Sequence, residues 1–224
     1  MPLTPVKHRS LEESVYDAVR DGIISGELLP GDPLVEAQLS ADLGISKTPV
    51  REALIRLARD GLVVQELHRR SRVATPTVED VRQACEMRRW VEAEIAAHAA
   101  RNNSPELIAQ LEASVADSER ALKGNDPRRW ATAIETFSDA LMDHSGNRYA
   151  AETLQRMRNV LSLIANVSQV APGRRARSIE EHRVILAAIR DGDARAASKA
   201  TLAHLDSIEA DSLQALEQVK TPAA

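Results

Sequence analysis

The sequence predicts a mainly α-helical protein in two parts, a small N-terminal module of three helices and a hairpin followed by a bundle of long helices. Three observations carry that prediction. Aromatic residues are only 2% of the 224 residues, while alanine, leucine and arginine recur in long periodic stretches, the profile of a helical chain. Up to about residue 75 short helical patterns alternate with turns such as "SGELLPGDP" and end in a β-branched run. Beyond it the pattern is helix alone, and the connections are short enough to set successive helices antiparallel.

The first helix spans about Leu11 to Ser25, with Val15, Ala18, Val19 and Ile23 on one face. A second, from about Val35 to Leu43, stops at Gly44. In the next stretch, "GISKTPVREALIRLARDGLV", Thr48 before Pro49 suits an N-cap with proline in the first helical position, and Ser46 is a competing cap. Val50, Ala53, Leu54, Leu57 and Ala58 then repeat at helical spacing and give this third helix one buried stripe. After Gly61, "LVVQELHRRSRVATP" has two β-like ends around a basic middle, as a small hairpin requires. Helices and hairpin in this order make a winged helix-turn-helix over residues 8–75, followed by an antiparallel all-α bundle over residues 76–220.

In the bundle, "TVED" reads as a capping box that launches a helix to about Asn102. Further helices are expected near residues 104–123, 127–144, 148–169, 174–191 and 193–219, separated by "NNSP", "KGNDP", "SGN", "APG" and "DGD".

Several classes are excluded. A single cysteine, Cys85, permits no internal disulfide framework or zinc-finger cluster and fits a reducing, cytoplasmic setting. No apolar run approaches a membrane span, and the opening "MPLTPVKHRS" lacks the apolar stretch of a signal peptide. The net charge is −4, yet between Lys47 and Arg72 seven basic residues face three acidic ones. That local excess is the footprint of a nucleic-acid contact.

In a helix-turn-helix the second helix of the motif enters the major groove with its N-terminus foremost. Ser46, Lys47, Thr48 and Arg51 cluster there, where free backbone amides also favour phosphate. Arg51 is the candidate for bidentate contact with a guanine edge, Lys47 and the hydroxyls for phosphates. Arg69, Arg70 and Arg72 of the hairpin would lie along the neighbouring backbone or minor groove.

These residues resemble the DNA-binding domain of the GntR family of bacterial transcription regulators. The family's Ser-Arg-x-Pro-Val-Arg-x-Ala-Leu appears as SKTPVREAL, with lysine in the first basic position. Two departures concern DNA: Ala37 stands where some members have an arginine on the DNA backbone, and the wing reads HRRS, with Arg70 where glycine is usual.

In the first bundle helix Val81, Ala84, Arg88, Val91, Ile95 and His98 recur at spacings of three and four, which directs Arg88 inward. A buried guanidinium needs either an internal carboxylate or a bound acid. His182 shares a face with Ile179, Ile185, Leu186 and Ile189, and His204 precedes Ile208 by one turn. Two histidines alone do not make a metal site. No nucleophile with a base, phosphate loop or carboxylate pair stands out, so the chain is not expected to be an enzyme.

Here too there is a resemblance: "CEMRRWVEAEIAAHAA" and "EEHRVILAAIRDGDARAASKATLAHL" are similar to the FCD ligand-binding domain of FadR-type regulators. It implies that Arg88, His182 and His204 are pocket positions. In many members those histidines, with an aspartate and a histidine of an Asp-x-x-Phe-His motif, hold a metal that helps bind a carboxylate. The matching stretch here has Ile134 for the aspartate and Ser138 for the histidine, so no cofactor and no tight metal are expected. The effector set is then Arg88, Ser138, His182 and His204. The expected protein is a ligand-responsive regulator, a homodimeric repressor that reads a pseudo-palindromic operator under control of a small carboxylate or acyl effector. The alternatives are a DNA-binding regulator whose bundle only dimerises and, less favoured, a helical enzyme that uses the histidines as acid and base.

Overall fold

The computed structural model describes residues 10–66, 70–169 and 171–220. The first helix, α1 (Leu11–Ser25), opens on Ser10, whose hydroxyl accepts the Glu13 amide at 3.0 Å, and closes on Gly26 at φ 77°. A side-chain oxygen for a free amide and a glycine for the left-handed turn are the usual local terminators. Then follow β1 (Pro33–Leu34), α2 (Glu36–Leu43), α3 (Lys47–Arg59), β2 (Val63–Glu66) and β3 (Arg70–Val73). The strands form an antiparallel sheet of order β1-β3-β2, with Val63 opposite Val73. β1 is an addition to the expected hairpin; two residues are too short to show a period.

Ser46, not Thr48, caps α3, which places Pro49 third in the helix. The first amides of a helix have no intrahelical acceptor, so proline sacrifices no hydrogen bond there. The predicted stripe is buried: Val50, Ala53, Leu54 and Leu57 pack with Val15, Val19 and Ile23 of α1 and with Leu34, Leu62, Val63 and Val73 of the sheet.

The bundle comprises α4 (Val78–Asn102), α5 (Pro105–Gly124), α6 (Pro127–Asp143), α7 (Arg148–Ser168), α8 (Arg174–Arg190) and α9 (Ala194–Lys220). The capping box at its start is complete: Thr77 Oγ1 accepts the Asp80 amide at 3.1 Å, and Asp80 Oδ2 accepts the Thr77 amide at 2.8 Å. Ala96, Ala99 and Ala100 of α4 share one core with Leu107, Leu111, Phe137, Ile185, Ile189 and Ala197, the small side chains allowing close helix approach. Val81, Cys85, Ile164, Ile208 and Leu216 form a second core. No helix among the described residues is long and apolar enough to cross a membrane.

The two parts are fastened together along α1. Leu163 of α7 joins the core of the N-terminal module. The buried Asn166 amide donates to the Ile23 carbonyl near the C-terminal end of α1, where carbonyls lack intrahelical partners. Arg128 clasps Glu27 through two bonds of 2.7 Å, and Asn159 donates to the Asp60 carbonyl at 3.3 Å.

Candidate nucleic-acid interface and ligand cavity

Ser46, Lys47 and Thr48 are exposed at the N-terminus of α3, and Lys47 has no ion pair among the described residues. Arg51 lies one turn on and is engaged: its Nε donates to Glu36 Oε1 at 3.0 Å and its Nη2 to Oε2 at 2.8 Å. Those bonds hold the guanidinium above its ordinary pKa, and they present it as a planar fork beside the start of the helix. Arg72 is half-buried and donates to the Gly31 carbonyl at 3.2 Å, which ties it to the sheet's flank. The backbone of Arg70 pairs with that of Glu66 in the β2–β3 ladder, and Arg69 and the side chain of Arg70 lie outside what the structure describes.

Inside the bundle, α4, α6, α7, α8 and α9 enclose a cavity of about 150 Å³. Arg88, Ser138, His182 and His204 all line it, so the structure brings the four pocket candidates together. Arg88 is buried, as its spacing predicts. Its partner is on its own helix: Nε donates to Glu92 Oε1 at 2.5 Å and Nη2 to Oε2 at 3.1 Å. Burial disfavours that cation, but the Glu92 carboxylate outweighs burial and holds the guanidinium above its ordinary value. Nη1 makes no bond among the described residues.

His182 stacks face to face on Phe137, centroids 4.1 Å apart, and its ring lies 4.9 Å from that of His204. Burial, then the neighbouring His204, pushes His182 well below the ordinary imidazole range. Burial likewise lowers His204 despite the opposing pull of Glu181, so at both rings burial favours the neutral form. His204 Nδ1 lies 2.6 Å from Glu181 Oε2, which fixes Nδ1 as the protonated nitrogen. Burial alone would raise Glu181, but hydrogen bonds from His204 and from Arg174 bring its carboxyl down to about 2. Arg174, at the start of α8 and 2% exposed, grips Glu181 at 2.9 and 2.6 Å and Ser207 Oγ at 2.5 Å.

The residues present do not fit the family metal. Ile134 carries no donor, and Ser138 sits exposed with its hydroxyl returned to the Ile134 carbonyl at 3.3 Å. Among the described residues no three His, Cys, Asp or Glu side chains are grouped to hold an ion, and two imidazoles fall short of a protein-held site.

Sequence reasoning passed over Glu92, Arg158 and Arg174, all of which line the cavity. For Glu92 a signal existed, since a carboxylate four residues after Arg88 shares its helix face. For Arg174 the signal was partial: Glu181 lies two turns on along the same helix, whereas Ser207 and Asp211 are brought to it by the packing of α9 on α8.

A winged helix-turn-helix carried on a hollow helical bundle is the build of a bacterial transcription regulator. Comparison with known proteins agrees. Residues 11–75 match the family model of bacterial regulatory proteins of the gntR family, and residues 83–207 match that of the FCD domain. The chain is 30% identical over 202 residues to the "Probable D-xylose utilization operon transcriptional repressor" of Paenarthrobacter nicotinovorans, covering 88% of each. It is 25% identical over 200 residues to the HTH-type transcriptional repressor RspR of Escherichia coli, covering 88% of this chain and 87% of that one. A GntR-type regulator from a Rhodococcus species superposes with a TM-score of 0.76 at 27% identity, over 91% of this chain and 97% of that one. The Escherichia coli McbR/YncC structure shares the fold at a TM-score of 0.72 and 22% identity, over 95% and 99% of the two chains. The protein belongs to the GntR family and carries an FCD domain; it is a transcription regulator, not an enzyme.

Proposed function

We propose that this regulator is a cytoplasmic repressor that binds a pseudo-palindromic operator as a homodimer and responds to a small organic acid or acyl compound held in the bundle. Residues 8–75 would bind DNA and residues 76–220 the effector and the second protomer. The observation that carries this reading is the cavity itself, with the buried Arg88 on its wall. Ser46, Lys47 and Thr48 would set register on phosphates, Arg51 would read a base pair, and Arg69, Arg70 and Arg72 would follow the flanking backbone. Ser138, His182 and His204 would complete the effector site. Two of the relatives are named as repressors, which supports the sign of control.

Control of this kind requires that the effector bind the two domain arrangements with different affinity; tight binding alone shifts nothing. The Arg88–Glu92 pair favours a second reading, because it already neutralises the cation: the bundle would then serve dimerisation alone. Selection of bound duplexes from a random DNA library, at fixed salt, tests the first half. An enriched palindrome supports a dimeric reader. A thermal-shift screen of organic acids on wild type and Arg88→Ala tests the second, since a ligand stabilises in proportion to the logarithm of its concentration over its dissociation constant. No stabilisation by any acid leaves the dimerisation reading.

A further inference from the structure

Three buried side-chain polar atoms lack a hydrogen-bond partner among the described residues: Trp130 Nε1, Glu135 Oε1 and His182 Nδ1. All three belong to residues that line the one cavity. Buried polar groups are rarely left unpaired, so three on one cavity mark where a guest supplies the missing partners. Their chemistry specifies that guest. An indole N–H only donates and needs an acceptor, whereas an ionised carboxylate only accepts and needs a donor. An unsubstituted fatty acid or acyl chain offers acceptors alone and would meet Glu135 with nothing to give. At about 150 Å³ the cavity has the size of engineered cavities that admit benzene, so the guest is small.

Glu135 also faces the other way. Its Oε1 lies 3.7 Å from Arg20 Nη2 of α1 and 3.9 Å from Arg158 Nη1 of α7, within ion-pair reach of both and hydrogen-bonded to neither. Arg158 is itself engaged by Asp139 and lines the cavity. Arg20, on the first helix of the DNA-binding module, also touches its neighbour Asp21 at 3.2 Å. One carboxylate therefore stands between the cavity and that module.

We propose that the effector carries a hydroxyl or ammonium group which Glu135 accepts, and that this contact draws Glu135 away from Arg20, so that the DNA-binding module senses occupancy through this carboxylate. The assignment rests on the ligand-responsive reading above. It makes the effector a small bifunctional molecule, an acid that also bears a hydrogen-bond donor. It also satisfies the requirement for differential affinity, because the guest competes with Arg20 for the same oxygen.

The test uses the full-length protein as wild type, Glu135→Met and Arg20→Met, with a panel of three- to six-carbon carboxylic acids in matched unsubstituted, hydroxylated and aminated sets. Thermal shift reads binding, and affinity for the selected duplex at fixed salt reads the response. In wild type the hydroxylated or aminated members should raise Tm more than their unsubstituted counterparts, and the best of them should change duplex affinity a few-fold. Glu135→Met should lose the preference for the donor. Arg20→Met should keep it yet lose the change in duplex affinity. Equal shifts from donor-bearing and unsubstituted acids in wild type, or an unaltered DNA response in Arg20→Met, would overturn the assignment and leave the ligand-responsive reading standing. No shift from any acid while the duplex is still bound would overturn that reading and this assignment with it.

Discussion

Arg51 of α3 and Glu36 of α2 form a two-pronged ion pair across the helix-turn-helix, Nε to Oε1 at 3.0 Å and Nη2 to Oε2 at 2.8 Å. The carboxylate spends two of the guanidinium's five N–H groups and orients the rest, at the same time placing a negative charge close to where DNA would lie. Arg51→Ala should blur selection at one base pair per half-site, with roughly ten- to a hundredfold less discrimination there. Glu36→Gln should blur the same base pair less, while raising affinity for unrelated duplexes, because it removes the orienting charge and its repulsion of phosphate. Binding-site selection at one salt concentration checks both; a Glu36→Gln profile that sharpens would contradict the orienting role.

Lys47 differs in kind. It is exposed at the helix N-terminus and has no ion pair among the described residues, as expected of a phosphate contact. Lys47→Ala should weaken selected and unrelated duplexes by similar factors and reduce the slope of log K against log salt by about 0.9 per protomer. A change confined to the selected duplex would instead make Lys47 a base reader.

Arg174 is nearly inaccessible and binds Glu181, Ser207 and Asp211 together. Arg174→Met keeps the bulk and removes the charge, which leaves the half-buried Glu181 carboxylate without its guanidinium, while Asp211 keeps Arg177 at 2.7 Å. Breaking one side of such a pair costs about 3 to 5 kcal/mol, so urea denaturation should show a loss of that order. A loss under about 1 kcal/mol would mean that water replaces the arginine.

What the sequence disclosed depended on how local the cause was. The start of α4 was legible because Thr77 and Asp80 cap each other three residues apart, and those of α5 and α6 because Ser104 and Asp126 precede prolines. Arg88 was legible as inward-facing from spacing alone. The surroundings of Glu135 were not legible, because Arg20 and Arg158, which lie within ion-pair reach of it, come from other helices. Gly146 was equally illegible. Its φ is 66°, and a methyl group there would collide with the His98 ring, which α4 carries from far along the chain. Gly146→Ala should therefore cost about 1 to 3 kcal/mol in a thermal or urea melt.

The cavity's titrating groups predict an acid-sensitive fold. His182 and His204 are lowered in the folded state, chiefly by burial, so below about pH 6.5 the unfolded chain binds protons that the folded one refuses. The stability due to their neutrality is complete above that pH and is lost as pH falls. Glu181, lowered from 4.5 to about 2, adds a second loss that begins only as pH drops through the ordinary carboxylate range. Glu135 works in the opposite sense: burial raises it, Arg20 and Arg158 oppose that, and protonating it relieves a cost, which offsets part of the decline. Two histidines against one carboxyl leave a net fall in Tm between about pH 7 and pH 5. His182→Phe keeps the flat ring on Phe137 and removes both the unpartnered Nδ1 and one of the titrations, so its Tm should fall less over that interval than that of wild type. Parallel melts at each pH decide it: an equal fall in the two proteins would mean that His182 accepts its proton in the folded state, and that the stack on Phe137 tolerates an imidazolium.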